Sequence, residues 1–219
     1  MAAKSTAKKH SEDTIITLYM DDVLENGTLP KSIYKFCKDN DIAEPIFYQF
    51  FGSFEGLRKR IWIKLYDNTE NLMAKNKEYE SFSNKDKLLT FYFSFFELLT
   101  LNRSYVLFTL KESGSPLKGL TQLKELRTRI KEFAAGLIAD ANSTKTLKVT
   151  KYNSKLFSEG TWLQFLFILK FWMDDSSPGF EKTDLAIEKS VNTAFDVFDN
   201  TPLDSIIDFG KFLYKENFA

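Results

Sequence analysis

The chain has 219 residues, 43% hydrophobic and 16% aromatic, and its 30 basic and 30 acidic residues leave no formal net charge. That composition excludes a chain dominated by disorder, and 5 prolines, 9 glycines and one cysteine exclude collagen-like and disulfide-stapled architectures. A protein that binds nucleic acid usually carries a basic excess, and the chain as a whole has none.

Met1 to His10 is polar, carries Lys4, Lys8 and Lys9 without an apolar stretch, and reads as a disordered tail rather than a secretory signal. From there nearly every segment has helical period. Thr14 to Glu25 places Ile15, Ile16, Leu18, Tyr19, Val23 and Leu24 at helical spacing and stops at Asn26-Gly27. Thr28-Leu29-Pro30 is expected to open a short second helix through Ile33, Tyr34, Phe36 and Cys37. After the polar turn Asp39-Asn40-Asp41, Ile42 to Phe51 predicts a third short helix. Ser53 is a good N-cap for a long fourth helix through Leu57, Ile61, Trp62, Leu65, Leu72 and Met73, with Glu55 in its first turn where the helix dipole favours an acid.

Ser83-Asn84-Lys85-Asp86 is a capping box that opens a strongly aromatic helix. Ser104 to Lys111 predicts a shorter one. Ser115-Pro116 is expected to start another, with Leu120, Leu123, Leu126, Ile130, Phe133 and Leu137 along one stripe. Residues 141–154 are polar and read as a loop. Helices are then expected at about 155–174, 181–199 and 202–216, the last opened by Thr201, Pro202 and Asp204. Strand signals are scarce, so the fold class is all-α. The most apolar run, Trp162 to Met173, is broken by Gln164 and Lys170 and falls short of the roughly 18 apolar residues a membrane span needs. A cytoplasmic protein is expected.

Enzyme chemistry has little to stand on. Cys37 is the lone cysteine and His10 the lone histidine, which leaves no thiolate zinc site and would force any Ser-His-Asp or Cys-His arrangement onto a tail residue. No phosphate-cradling glycine motif occurs, and no pair of carboxylates stands in a setting that would separate their pKa values. No cofactor or metal is expected.

Three short helices leading into a long one, the second and third joined by a tight turn, form a helix-turn-helix layout, although any small helical cap shares that outline. The residues add to the pattern. Tyr48-Gln49-Phe50-Phe51-Gly52-Ser53-Phe54-Glu55-Gly56-Leu57 resembles the Tyr-x-x-Phe-x-Ser-Lys-Glu-x-Leu signature of TetR-family transcription regulators. Upstream, Ile33, Phe36 and Ile42 take the apolar positions of that domain. The resemblance is close over roughly the first 65 residues and architectural beyond. It implies a three-helix reading head over 11–55, a ligand-binding and dimerisation domain over 56–219, and operator DNA as partner of a homodimer. The DNA-facing residues it implies are Lys31, Glu44, Ile46, Tyr48 and Gln49, with the Tyr48 hydroxyl on a phosphate.

The departures are specific. Asp41 stands at the turn glycine, Ala43 at the usual serine N-cap of the third helix, Glu44 where a small polar or basic residue is common, and Phe54 at the lysine of the signature. Residues 1–62 carry nine bases (Lys4, Lys8, Lys9, Lys31, Lys35, Lys38, Arg58, Lys59 and Arg60). Nine acids match them: Glu12, Asp13, Asp21, Asp22, Glu25, Asp39, Asp41, Glu44 and Glu55. Phosphate neutralisation supplies most non-specific DNA affinity, so a neutral head is handicapped.

Further along, Phe91, Phe93, Phe95 and Phe96, with Tyr105 and Phe108, form one aromatic concentration, and Trp162, Phe165, Phe167, Phe171 and Trp172 form another. Most such residues belong to an ordinary core. Apolar residues on more than one face of helices 88–101 and 156–173 also suit a cavity or a second interface. In TetR-like proteins this region holds a hydrophobic ligand pocket, which makes Phe91, Phe95, Phe96, Tyr105, Phe108, Trp162 and Phe165 the candidate pocket residues, and the last helices pair two copies. The segment Asp175-Ser176-Ser177-Pro178-Gly179-Phe180-Glu181-Lys182-Thr183 is also similar to the Asp-x-Ser-Pro-x-(Phe or Tyr)-x-x-Thr region of the lipid-binding accessory protein of coenzyme Q biosynthesis. That protein keeps a TetR-like fold without binding DNA. The sequence thus leaves two functions open: a ligand-responsive transcription regulator, or a lipid- or isoprenoid-binding accessory protein.

Overall fold

The computed structural model describes residues 10–112, 119–143 and 153–200. These contain nine α-helices joined by turns and short 3-10 segments, and no strand, so the chain is all-α as its periodicity predicts. The helices are α1 (Glu12–Asn26), α2 (Ile33–Asp39), α3 (Glu44–Phe50), α4 (Phe54–Lys75), α5 (Asn84–Leu101), α6 (Arg103–Glu112), α7 (Lys124–Ser143), α8 (Ser154–Asp174) and α9 (Glu181–Asn200). The expected opening at Ser115-Pro116, most of the 141–154 loop and the helix expected over 202–216 lie outside the described residues.

Helix ends follow local chemistry. Ser11 caps α1 by accepting from the Thr14 amide, and α1 stops at Gly27, whose φ of 61° is left-handed. The second helix opens later than Thr28-Leu29-Pro30 suggests: Ser32 is its N-cap and accepts from the Lys35 amide at 3.2 Å. Ser53 accepts from the Gly56 amide at 3.1 Å to start α4, and Ser83 accepts from the Asp86 amide at 3.1 Å to start α5. Residues 141–143 continue α7 rather than opening a loop, and Asn153 caps α8 by accepting from the Leu156 amide at 3.0 Å.

The chain folds into two compact units. One comprises the described residues up to Thr69 together with those between Phe95 and Thr128; the other comprises Glu70–Ser94 and the described residues from Arg129 onward. The boundaries fall inside α4, α5 and α7.

In the first unit the core gathers Ile15, Tyr19 and Val23 of α1, Phe36 of α2, Phe47 of α3 and Leu57, Ile61 and Trp62 of α4. Gln122 is its buried polar tie. Its Oε1 accepts from the Trp62 indole at 3.1 Å, and its Nε2 donates to the carbonyls of Thr109 and Gly119 at 3.2 and 3.0 Å. Each polar group of that amide is therefore used, which offsets its burial. In the second unit the Phe91 ring lies 4.8 Å from Phe133, and the Tyr92 hydroxyl donates to the Thr161 carbonyl at 2.9 Å, linking α5 to α7 and α8. Burial pushes the Tyr92 phenol well above its ordinary pKa.

Candidate functional site

The head begins with four aromatic rings. Phe36 sits edge-on to Phe47 at 6.2 Å, and Phe54 stacks into the same cluster at 5.3 Å from Tyr19, 5.7 Å from Phe36 and 5.7 Å from Phe47. The residue that departs from the signature lysine is thus part of the head's apolar core. The tight turn has a similar explanation. Asp41 adopts φ 55°, the left-handed conformation for which glycine is suited, and its carbonyl faces His10 Nε2 at 3.2 Å. Aspartate tolerates that region better than most side chains. Ala43 offers no side-chain cap to α3, and Pro45 occupies its first turn instead.

These elements leave the five DNA-facing candidates on or near the surface. Lys31, Tyr48 and Gln49 are exposed, and Glu44 and Ile46 are half-buried. Tyr48 is 51% exposed, with its ring edge-on to Phe47 at 5.7 Å, so it is not a core tyrosine. Partial desolvation and the Glu44 carboxylate one turn away both raise its phenol pKa, which keeps the hydroxyl a proton donor at neutral pH.

Three of the six described bases in residues 10–62 are paired with acids of the same segment, and Lys64 just beyond is paired as well. Lys35 meets Asp39 at 2.5 Å and Lys59 meets Glu55 at 2.7 Å. Arg60 reaches Glu12 at 2.8 Å, and Lys64 reaches both Glu12 at 2.7 Å and Asp13 at 2.8 Å. The Arg60 hydrogen bond outweighs desolvation and lowers the Glu12 pKa. Among the described residues, Lys31, Lys38 and Arg58 make no ion pair.

The aromatic candidates are interior. Phe91, Phe95, Phe96, Tyr105, Trp162 and Phe165 are buried and Phe108 is half-buried. Phe95, Phe96, Tyr105 and Phe108 belong to the first unit and Phe91, Trp162 and Phe165 to the second. The Tyr105 hydroxyl is buried without a hydrogen-bond partner, and its pKa is pushed well up by burial.

A second feature escaped the sequence reading. Antiparallel α8 and α9 enclose a groove of about 740 Å³, walled by Leu163, Phe167 and Phe171 on one side and Leu185 and Val197 on the other. None of the seven aromatic candidates lines it. Leu163 is 65% and Phe167 55% exposed. The signal available was the apolar second face of the 156–173 helix, which marked the helix but not the partner that shapes the groove.

Where α8 meets α9, Asp175 organises the turn. It accepts from the Ser177 amide and hydroxyl at 2.8 and 2.7 Å, and from the Thr183 amide and hydroxyl at 2.9 and 2.7 Å. One carboxylate thereby follows α8 and caps the first turn of α9. Gly179 and Phe180 take φ 62° and 60° between them. The Asp, Ser and Thr of the motif over 175–183 are the parts of this double cap, and Pro178 opens the 3-10 turn between them.

Compared with known families, residues 87–213, more than half of the chain, match the tetracyclin repressor-like, C-terminal domain. No curated protein matches the chain. Among the described residues no helix is long and apolar enough to cross a membrane, and no group of three His, Cys, Asp or Glu side chains could hold a metal ion.

Proposed function

Since the chain belongs to the TetR family, its C-terminal region being a tetracyclin repressor-like domain, we propose that it is a ligand-responsive transcription regulator. Its first three helices read operator DNA, and two copies pair through the carboxy-terminal helices. The observation that carries the reading is the surface of α3: Tyr48 and Gln49 are exposed, Tyr48 beside the Glu44 carboxylate, while the buried Phe47 anchors the helix. A helix held by one buried ring and exposing the others suits insertion into a major groove. Lys31, Lys38 and Arg58 supply the phosphate contacts, and Glu44 and Ile46 flank the reading surface.

The hydrophobic ligand is assigned to the aromatic interior of the first unit, with Phe95, Phe96, Tyr105 and Phe108 as pocket residues. Their burial suits an apolar ligand, and the unpartnered Tyr105 hydroxyl offers it one polar anchor. A ligand acts by binding unequally to the arrangements in which the two heads do and do not match the operator. Regulatory domains of this family are typically non-enzymatic, and the reading places the protein in the cytoplasm.

The test is duplex binding to pooled genomic fragments at low salt, read by sequencing the retained DNA. Tyr48→Phe removes one hydroxyl–phosphate hydrogen bond and should weaken the selected site about tenfold. Retention of no fragment at low salt sinks the regulator. The second reading, a lipid-binding accessory protein without DNA, is favoured by one observation: Lys35, Lys59 and Arg60 are already neutralised by carboxylates of the head itself. It predicts an apolar molecule that co-purifies and is visible by native mass spectrometry.

A further inference from the structure

The side chains that α3 presents to its surroundings form a restricted chemical set. Pro45, Tyr48, Gln49 and Phe50 are exposed, Glu44 and Ile46 are half-buried, and Phe47 is fully buried. Pro45, Tyr48 and Gln49 are spaced three and four residues apart, which puts them on one face, away from Phe47. Ile46 lies at the edge of that face. Helical side chains lean toward the N-terminus, so the Gln49 side chain is directed over the preceding turn, which holds the carbon surfaces of Pro45 and Ile46. Phe50 differs, lying against Phe51 with ring centroids 6.2 Å apart. No lysine or arginine occurs between Lys38 and Arg58, so the helix carries no positive charge.

Each base pair shows its own pattern in the major groove, and this set answers only part of that code. Guanine presents two acceptors, O6 and N7, which arginine or lysine would meet. Neither occurs on α3, and the Glu44 carboxylate beside Tyr48 contributes only further acceptors. Adenine presents one acceptor and one donor, which a glutamine amide matches with two hydrogen bonds. Thymine presents a methyl group, which suits carbon.

On the reading that α3 enters the major groove, we propose that it selects an adenine–thymine step, with Gln49 on the adenine and Ile46 on the 5-methyl group of a neighbouring thymine. Gln49 Nε2 donates to adenine N7, and its Oε1 accepts from the N6 amino group. Pro45 covers the other side of the amide with carbon and offers no competing donor. With guanine in place of adenine, Oε1 faces O6, acceptor against acceptor, and one of the two bonds becomes a repulsion. The Glu44 carboxylate acts in the same direction, since it too opposes guanine's acceptors.

The experiment selects duplexes that the full chain retains at low salt from a random-sequence pool, then measures affinity for the selected duplex and its variants. The selected half-sites should centre on adenine–thymine pairs, and guanine at the read adenine should weaken binding about tenfold. Gln49 is exposed, so Gln49→Arg spares the core; it should reverse that preference to guanine by about tenfold and leave the other positions unchanged. Replacing the read thymine by uracil removes only the methyl group, and should weaken the native chain about fourfold. For Ile46→Ala the same replacement should matter less than about twofold. The uracil duplex tests the native chain, so that result stands even where Ile46→Ala folds poorly. A half-site read through guanine, or an adenine preference that survives Gln49→Arg, overturns the role of Gln49. Equal affinity of the native chain for the thymine and uracil duplexes overturns that of Ile46. Retention of no duplex at low salt contradicts the DNA reading and the base assignment together, whereas a retained duplex with other bases contradicts the base assignment alone.

Discussion

Four donors converge on the Asp175 carboxylate from both sides of the turn between α8 and α9. Burial alone would raise its pKa, but the hydroxyls and amides of Ser177 and Thr183 outweigh burial and hold the carboxyl well below the usual carboxylate range. A carboxylate whose folded pKa is depressed stabilises the fold fully above its unfolded pKa of about 4, and that contribution is lost as the pH falls through the folded value. Asp175→Asn should cost about 2 kcal/mol at neutral pH by chemical denaturation, and the gap to the native chain should narrow as pH is lowered toward about 3. Asp41 makes the complementary case, in the backbone. Its φ of 55° is tolerated by aspartate and disfavoured for alanine, so Asp41→Ala should lower stability by about 1 kcal/mol although no side-chain contact of the core is lost. A shift in denaturation midpoint with an unchanged slope would report that backbone effect.

At the scale of elements, Phe54 decides what the head can be. Its ring closes the cluster of Tyr19, Phe36 and Phe47 at the first turn of α4. Restoring the signature lysine by Phe54→Lys should therefore destabilise the protein by about 2 kcal/mol, less than a fully buried phenylalanine because Phe54 is half-buried. Thermal unfolding of the variant measures it, and an unchanged midpoint would show that the cluster does not need the ring. Helix starts such as Ser53 and Ser83 were legible in the sequence because a cap is a local hydrogen bond written within four residues. The start of α2 is not legible in this way, because Thr28 and Pro30 carry generic opening signals whereas Ser32 is the residue whose side chain reaches the Lys35 amide. The groove was not legible for a different reason. Helical period shows that Leu163 and Phe167 lie off the core-facing stripe, but the space above Gly160, Ala186 and Ala194 exists only once α9 lies beside α8. The motif over 175–183 was visible as a resemblance; its capping role required the geometry.

For the whole molecule, the balance of 30 bases and 30 acids has a local meaning. In the head, Lys35, Lys59 and Arg60 are held by Asp39, Glu55 and Glu12, which leaves Lys31, Lys38 and Arg58 unpaired among the described residues. A paired base neutralises no phosphate until its acid partner is displaced, so three bases per head set the minimum electrostatic contribution to duplex binding. With two heads on one operator and a slope of about 0.9 per phosphate, the logarithm of affinity should fall with the logarithm of salt by at least about 5. The salt dependence of affinity for the selected operator fragment is the most direct measurement of the regulator reading. The account predicts tight binding at low salt and that steep decline, weakened throughout by Tyr48→Phe. A flat dependence, or no duplex binding at the lowest salt, would contradict it.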